Sequence, residues 1–532
     1  MGNRRAILIG LDGVGQDEIH QWQNPESLSN LNRIARSGVK SDLFSTLPPW
    51  TPCAWPSLLS GLNPGEHGVF DFFTRKGYEK RLIDRQNVEA PYLSDVVAAT
   101  DLTPLLINYP VTHPVPELDH GAVVPGYLSP ENTEFYPENL RGEYEAEHET
   151  YAIYPEYGAE TDIVENYVSV ARHRRDMARF LDERYDWDLM AVQFQVTDSI
   201  FHDLDDRDKI RQVLEKVDEF VGDIVALDQD AAVFIVSDHG MGDYEWTFYI
   251  NSWLAENGYA DTTTGDEEYF RAKKEDLKGK DDEETSLLQT SLGATTTALS
   301  TMGFPPNRIH RLLSSVGLAG TVERLLPEEA LLAAQDQIVD YENSTAFQIF
   351  YNSLGIHLNL EGREPEGTVT EEQYDEVRSE LIEELSQVRD PDGNLVFDDV
   401  LRKEEVYEGK NIEKAPDILL VPRDYQYDVS GSIVEPFRRN PHKNHKPEGI
   451  FVTNLEASEP LDDASIYDVA PTVAASLGLP IDTQADGEVL PVVEDHGKRA
   501  DWSEMTEQYR TTERKSTDGD VEERLADLGY ME

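Results

Sequence analysis

The stretch AILIGLD, Ala6–Asp12, decides how the rest of this chain reads. Its apolar run has no polar alternation, the pattern of a strand covered on both faces in a parallel α/β sheet. Ligands in such sheets gather at the carboxyl ends of the strands. A second run, AAVFIVSDHG (Ala231–Gly240), ends the same way, on Asp238 and His239. Two carboxylates and an imidazole delivered by two strand ends make a candidate metal site.

Outward from these runs, strands and helices alternate. The pattern predicts a helix near Leu28–Ser37, a long helix around Ile163–Tyr185 and a strand in DLMAVQFQV, Asp188–Val196. An acidic, Gly- and Thr-rich stretch, Asp261–Thr296, then breaks the alternation. Helical segments follow in NRIHRLLSSVG (Asn307–Gly317) and PEEALLAAQDQIVDY (Pro327–Tyr341). Strand signals return in FQIFYNSLGIHLNL (Phe347–Leu360), APDILLVP (Ala415–Pro422) and GIFVTN (Gly449–Asn454). The fold class expected is α/β, a mostly parallel central sheet flanked by helices, with an inserted cap. Residues 1–258 form the first part of a catalytic α/β domain, 259–340 the inserted cap or lid, 341–500 the second part and 501–532 a polar C-terminal arm. Loops between rigid strands tolerate insertions of this size.

Charge narrows the class. The 532 residues carry 104 Asp+Glu against 46 Lys+Arg, a net charge of −58 with a pI near 4.4. The acid is spread along the chain between apolar strands, which argues against disorder. It suits molar salt, where the Debye length is only ~3 Å and self-repulsion is screened. The expected source is a salt-in halophile, an archaeon. Such a field repels nucleic acid, so no nucleic-acid groove is expected. It also repels a phosphorylated substrate unless metal cations sit in the site.

The lone cysteine, Cys53, excludes an intrachain disulfide and a CxxC zinc ribbon. The opening MGNRRAILIGLDG has an apolar stretch too short for a signal peptide or a membrane span. Ala6 leaves the myristoylation pattern incomplete. The expectation is a soluble cytoplasmic protein with no membrane span; the oligomeric state is open.

The chemistry gathers in PPWTPCAWPSLLSGLNPGEHG, Pro48–Gly68. Thr51 follows a proline-rich turn and precedes a helix-like stretch, Ala54–Leu59. An isolated threonine there would be an N-cap. With Asp12, Asp238 and His239, however, this segment resembles the alkaline phosphatase superfamily, most nearly its type I phosphodiesterase/nucleotide pyrophosphatase branch. Members of that branch carry a threonine nucleophile ten residues before the glycine of a [ST]-G-x-x-P-x-x-H-G segment. Thr51, Ser60, Gly61, Pro64, His67 and Gly68 match that spacing.

The resemblance implies an alkaline phosphatase-like fold and two divalent metal ions, Zn²⁺ or Mn²⁺. It assigns Asp12, Thr51, Asp238 and His239 to one ion, and Asp198, His202 and His445 to the other. Asp198 and His202 stand four residues apart in TDSIFHD, on one face of a helical turn. His445 opens HKPEGIFV; His442, three residues earlier, lacks the following proline and glycine. His67 reads as structural. The likeness continues through INYPVTHP, NLEGREPEG, APDILLVP, IYDVAPTVAASLGLP and LADLGY, and leaves 259–340 unmatched.

What the resemblance implies is two-metal hydrolysis of a small phosphorylated substrate through a phosphothreonine on Thr51, by a phosphodiesterase or phosphomonoesterase. Sulfatases convert a Cys or Ser in C/S-x-P-x-R; here the nucleophile position is Thr51, and Cys53, in C-A-W-P-S, reads as a small packed residue. Two other readings stand beside it. A phosphoglycerate-mutase-like phosphotransferase would use a serine and a larger second domain. A catalytically inactive binding protein of the same fold would lack ligands, whereas all seven are present. Taken singly, Asp12 reads as a strand-end turn residue and His202 as a solvent-facing helix residue; the assembled set carries the functional reading.

Overall fold

The computed structural model describes residues 5–16, 28–155, 162–264, 337–461 and 464–509. Eight strands form the central sheet: β1 (Ala6–Leu11), β2 (Val39–Phe44), β3 (Pro104–Ile107), β4 (Ala122–Val124), β5 (Leu189–Phe194), β6 (Ala232–Val236), β7 (Glu448–Thr453) and β8 (Ala464–Ser465). Their spatial order is β8-β2-β7-β6-β1-β5-β3-β4. All pairings are parallel except those of β7, which runs antiparallel to both β2 and β6. Every residue of β1, β5 and β6 is buried, as uninterrupted apolar runs demand. Each Leu, Ile or Val so placed contributes about 1.5–3 kcal/mol relative to exposure.

Five helices matter to the site or its support: α1 (Ser29–Ser37), α2 (Thr51–Ser60), α3 (Ile163–Asp182), α4 (Val196–Asp203) and α5 (Arg207–Val225). Asp162 and Asp206 cap α3 and α5 by accepting backbone N–H bonds. The two long helices pack on each other, and α1 packs on α5. The helix expected over Ala54–Leu59 starts earlier, at Thr51 itself. Pro52 at the second position suits a helix start, since its missing N–H has no partner there in any case.

Of the smaller sheets outside the central one, two bear on the expectations above. Gly240–Tyr249 leaves β6 as a long strand that pairs antiparallel with Phe437–Lys446, with Met241 opposite His445. Asp261–Thr264 pairs antiparallel with Gln337–Asp340. Within the segment expected to be helical, QIVD (Gln337–Asp340) is therefore strand: Ile338 and Val339 find cross-strand partners. Most of the expected cap, 265–336, lies outside the described residues, as do 510–532 of the C-terminal arm. The beginning of that arm is packed rather than free: Trp502 is buried, and Tyr509 donates to Ala98 O at 2.9 Å. Among the described residues no helix is long and apolar enough to cross a membrane.

Candidate metal centre

Parallel register brings the carboxyl ends of β1, β5 and β6 level, with Leu11 opposite Phe194 and Gly10 opposite Val236. Asp12, the turn opening α4 and the Asp238–His239 pair therefore emerge side by side. Asp12, Asp238 and His239 are wholly buried, and Asp198 nearly so. Thr51 is the first residue of α2, and its hydroxyl does not serve as the cap, a position held by Trp50. Thr51 Oγ1 lies instead 3.4 Å from Asp12 Oδ1 and 3.4 Å from His239 Nε2. His239 Nε2 lies 3.6 Å from Asp12 Oδ1 and 3.3 Å from Asp238 Oδ2. The four residues expected at one ion converge.

The other three meet beside them. On α4, one turn separates Asp198 from His202, and Asp198 Oδ1 lies 3.4 Å from His202 Nε2. The same oxygen is 3.5 Å from His445 Nε2, and the two imidazole nitrogens are 3.1 Å apart. The His445 ring stacks on His239 with centroids 3.8 Å apart, so the two sets adjoin. His442 is engaged elsewhere, its Nε2 2.7 Å from Asp428 Oδ2. The antiparallel ribbon delivers His445, not His442.

The donor set fits divalent cations. Gly240 O lies 3.1 Å from His239 Nδ1, and Pro49 O lies 3.2 Å from His445 Nδ1. Carbonyls only accept, so each neutral ring keeps its proton on Nδ1 and turns a lone pair on Nε2 to the centre. Burial holds His239 well below the ordinary imidazole range and lowers His445 too, which keeps both neutral. Burial, then repulsion from neighbouring carboxylates, pushes Asp12 and Asp238 well above the ordinary carboxylate range. Burial acts on Asp198 likewise, but His202 and His445 outweigh it and hold that group well below. Asp198 Oδ1 and Asp238 Oδ2 are buried without a hydrogen-bond partner among the described residues. Ligand atoms of Asp198, His202 and His445, and those of Asp12, Asp198 and His239, lie within 4.8 Å of one another in each group. Crowded acids, orphaned oxygens and converging lone pairs are what a cation relieves.

His67 plays no part in this convergence. Its Nε2 lies 2.9 Å from Ser57 Oγ, Val69 N donates to its Nδ1 at 3.3 Å, and burial lowers its pKa to about 3. It ties α2 to the turn that follows, where Gly61 ends the helix at φ 75°, a backbone state that favours glycine. Cys53 is wholly buried, as a packed residue. Two residues at the site are absent from the sequence reading. Trp55 Nε1 donates to Asp12 Oδ2 at 3.0 Å, and Gln193 Nε2 donates to the same oxygen at 2.6 Å. The signals were there: Trp55 follows Thr51 by one helical turn, and Gln193 is a polar residue inside an apolar strand.

A family model described as type I phosphodiesterase / nucleotide pyrophosphatase matches residues 6–447. The chain belongs to that family. Membership makes it a phosphoester hydrolase. Its fold is alkaline phosphatase-like, in keeping with two solved structures. Phosphonoacetate hydrolase from Sinorhizobium meliloti 1021, in complex with phosphonoformate, superposes with a TM-score of 0.56 at 13% identity, over 89% of this chain and 96% of that one. Wild-type alkaline phosphatase PafA superposes with a TM-score of 0.51 at 11% identity, over 92% of this chain and 99% of that one. None of the curated proteins matches this chain in sequence.

Proposed function

We propose that the protein is a two-metal phosphodiesterase or phosphomonoesterase acting on a small phosphorylated molecule, with Thr51 as the nucleophile. The observation that carries this reading is the adjacency of two donor sets, Asp12–Asp238–His239 and Asp198–His202–His445, with the Thr51 hydroxyl at the first. Bound Zn²⁺ or Mn²⁺ would lower the pKa of the Thr51 hydroxyl, activate water and offset the charge of a phosphoryl oxygen in an otherwise acidic protein.

The chain's own residues set up the rest. Thr51 sits at the positive end of α2, which favours an anion beside it. The first-turn N–H groups of Cys53 and Ala54 already donate to Trp50 O at 2.8 and 2.9 Å, and Pro52 has none. Those groups are unavailable to hold a phosphoryl oxygen. In the first step the Thr51 hydroxyl gives up its proton to solvent as Oγ bonds to phosphorus, the leaving-group oxygen–phosphorus bond breaks, and the leaving oxygen takes a proton from solvent. In the second step a water oxygen bonds to phosphorus and releases a proton to solvent as the Thr51 Oγ–phosphorus bond breaks, and Oγ takes up a proton to restore the hydroxyl. Asp12 and His239, each 3.4 Å from the hydroxyl, hold it at the reacting end.

The test is a panel of phosphomonoesters and phosphodiesters assayed in molar KCl with Zn²⁺ or Mn²⁺, alongside metal analysis of the purified protein. Two ions per chain, with activity lost to a chelator and restored by metal, are expected. Turnover unaffected by complete metal removal would defeat the proposal. The mutase alternative predicts phosphoryl transfer between two substrate hydroxyls instead of release of phosphate or monoester.

A further inference from the structure

Behind Asp12 runs a buried polar chain that the reaction above does not use. Asp12 Oδ2 accepts from Trp55 Nε1 at 3.0 Å and from Gln193 Nε2 at 2.6 Å. Gln193 Oε1 in turn accepts from Asn108 Nδ2 at 2.8 Å, and Gln193 O lies 3.2 Å from the same nitrogen. Both amides are wholly buried. Asn108 follows β3, Gln193 lies in β5 and Asp12 follows β1, so the chain crosses three neighbouring strands at one end of the sheet.

Direction is built into it. Because Asn108 donates to Gln193 Oε1, the Gln193 amide must turn its nitrogen toward Asp12; reversed, it would press an oxygen against a carboxylate. Asn108 is held for this purpose: its N–H donates to Val124 O at 2.7 Å, and its backbone is left-handed, φ 64°, a conformation asparagine tolerates. Gly10 makes the room. A Cβ there would stand 2.5 Å from the Trp55 ring and 3.0 Å from Gln193 Cγ, so any larger residue would push both donors off Asp12.

We infer that Asn108, Gln193 and Trp55 are positioning residues that pin Oδ2 of Asp12 and thereby present Oδ1 to an ion on the Thr51 side. The inference rests on the metal reading proposed above. A carboxylate with one oxygen fixed by two donors loses little freedom on binding, which strengthens the site it serves.

The experiment uses the full-length, metal-free chain titrated with Zn²⁺ against a competing chelator in molar KCl. Wild type should bind two ions. Gln193→Met keeps the length of the side chain and removes its amide; it should weaken one ion by ~10–100-fold and leave the other unchanged. Asn108→Gly suits the left-handed backbone and should weaken the same ion by less. In the Gln193→Met background Asn108→Gly should add nothing, because its effect passes through Gln193. Should Gln193→Met lose its cooperative melting transition, Trp55→Phe removes the other donor and carries the same expectation. Wild type that binds no Zn²⁺ overturns the metal reading and the relay with it. Wild type that binds two ions while the variants bind both unchanged, lose both equally, or act additively overturns the relay alone.

Discussion

At the residue scale, two side chains have sharp tests. The Thr51 hydroxyl faces Asp12 and His239, each at 3.4 Å. Thr51→Ala should lower turnover by on the order of 10⁴-fold or more while the fold and most metal binding persist, and Thr51→Ser should retain part of the activity. Wild-type turnover in the alanine variant would exclude the phosphothreonine route. Asp71 is a second case, wholly apart from the proposed ligands in role. Burial raises its carboxyl from an ordinary value near 3.8 to about 7, against hydrogen bonds from Ser353 and the backbone of Phe72 and Phe73. The folded state thus binds a proton that the unfolded state has released across roughly pH 4–7, so stability falls as pH rises through that window. Asp71→Asn mimics the neutral acid and should flatten the decline. The variant's melting temperature should exceed wild type at pH 8 and match it near pH 4.

At the element scale, a strand register and a buried charge lock do the positioning. His445 reaches the centre because Phe437–Lys446 pairs with Gly240–Tyr249 in a register that sets His445 opposite Met241 and His442 opposite Tyr244. His445→Ala should therefore cost one bound ion and nearly all activity, whereas His442→Ala should keep both ions, as metal analysis of the two variants would reveal. Further along the chain, the NLEGREPEG and APDILLVP segments are bound together by Arg363, whose Nη1 and Nη2 donate to Asp417 at 2.7 and 2.6 Å. Asp417 also accepts from Leu358 N at 2.8 Å and Tyr374 OH at 2.6 Å. Burial alone would raise Asp417, but Arg363 outweighs it and holds the carboxyl well below the usual range. Its stabilising contribution is present at neutral pH and is lost as pH falls below that range. Arg363→Met, which leaves a buried carboxylate short of its main partner, should cost about 3–5 kcal/mol in urea unfolding, and the paired change Arg363→Met/Asp417→Leu less. An equal loss in both would show that packing, not charge, holds the segments.

For the whole molecule, the net charge of −58 governs behaviour in salt. Acids such as Asp205, Asp206 and Asp208 lie exposed after α4, where hydrated carboxylates cost little but repel one another. Screening over ~3 Å at molar salt removes most of that repulsion. The melting temperature is expected to rise steeply from dilute buffer to molar KCl, and activity to follow it, when both are measured at fixed metal concentration. A melting temperature that stays level across that range would contradict the halophilic reading without touching the hydrolase one.

Local pattern alone determined the strands at Ala6–Leu11 and Ala232–Val236, the helical turn that sets Asp198 over His202, and the acids that end the strands. Each is a matter of period and burial within a few residues, and period is written in sequence. The spacing around Thr51 added the family, and with it His445. Other features depended on the tertiary structure. That Thr51 begins α2 instead of capping it, that QIVD is strand, and that Trp55, Gln193 and Asn108 converge behind Asp12 all follow from which distant segments lie side by side. Parallel register levels the ends of β1, β5 and β6, and an antiparallel ribbon carries position 445 back to position 239. Such pairings are chosen by burial and hydrogen bonding summed over the whole sheet, a sum that no single stretch of the chain contains.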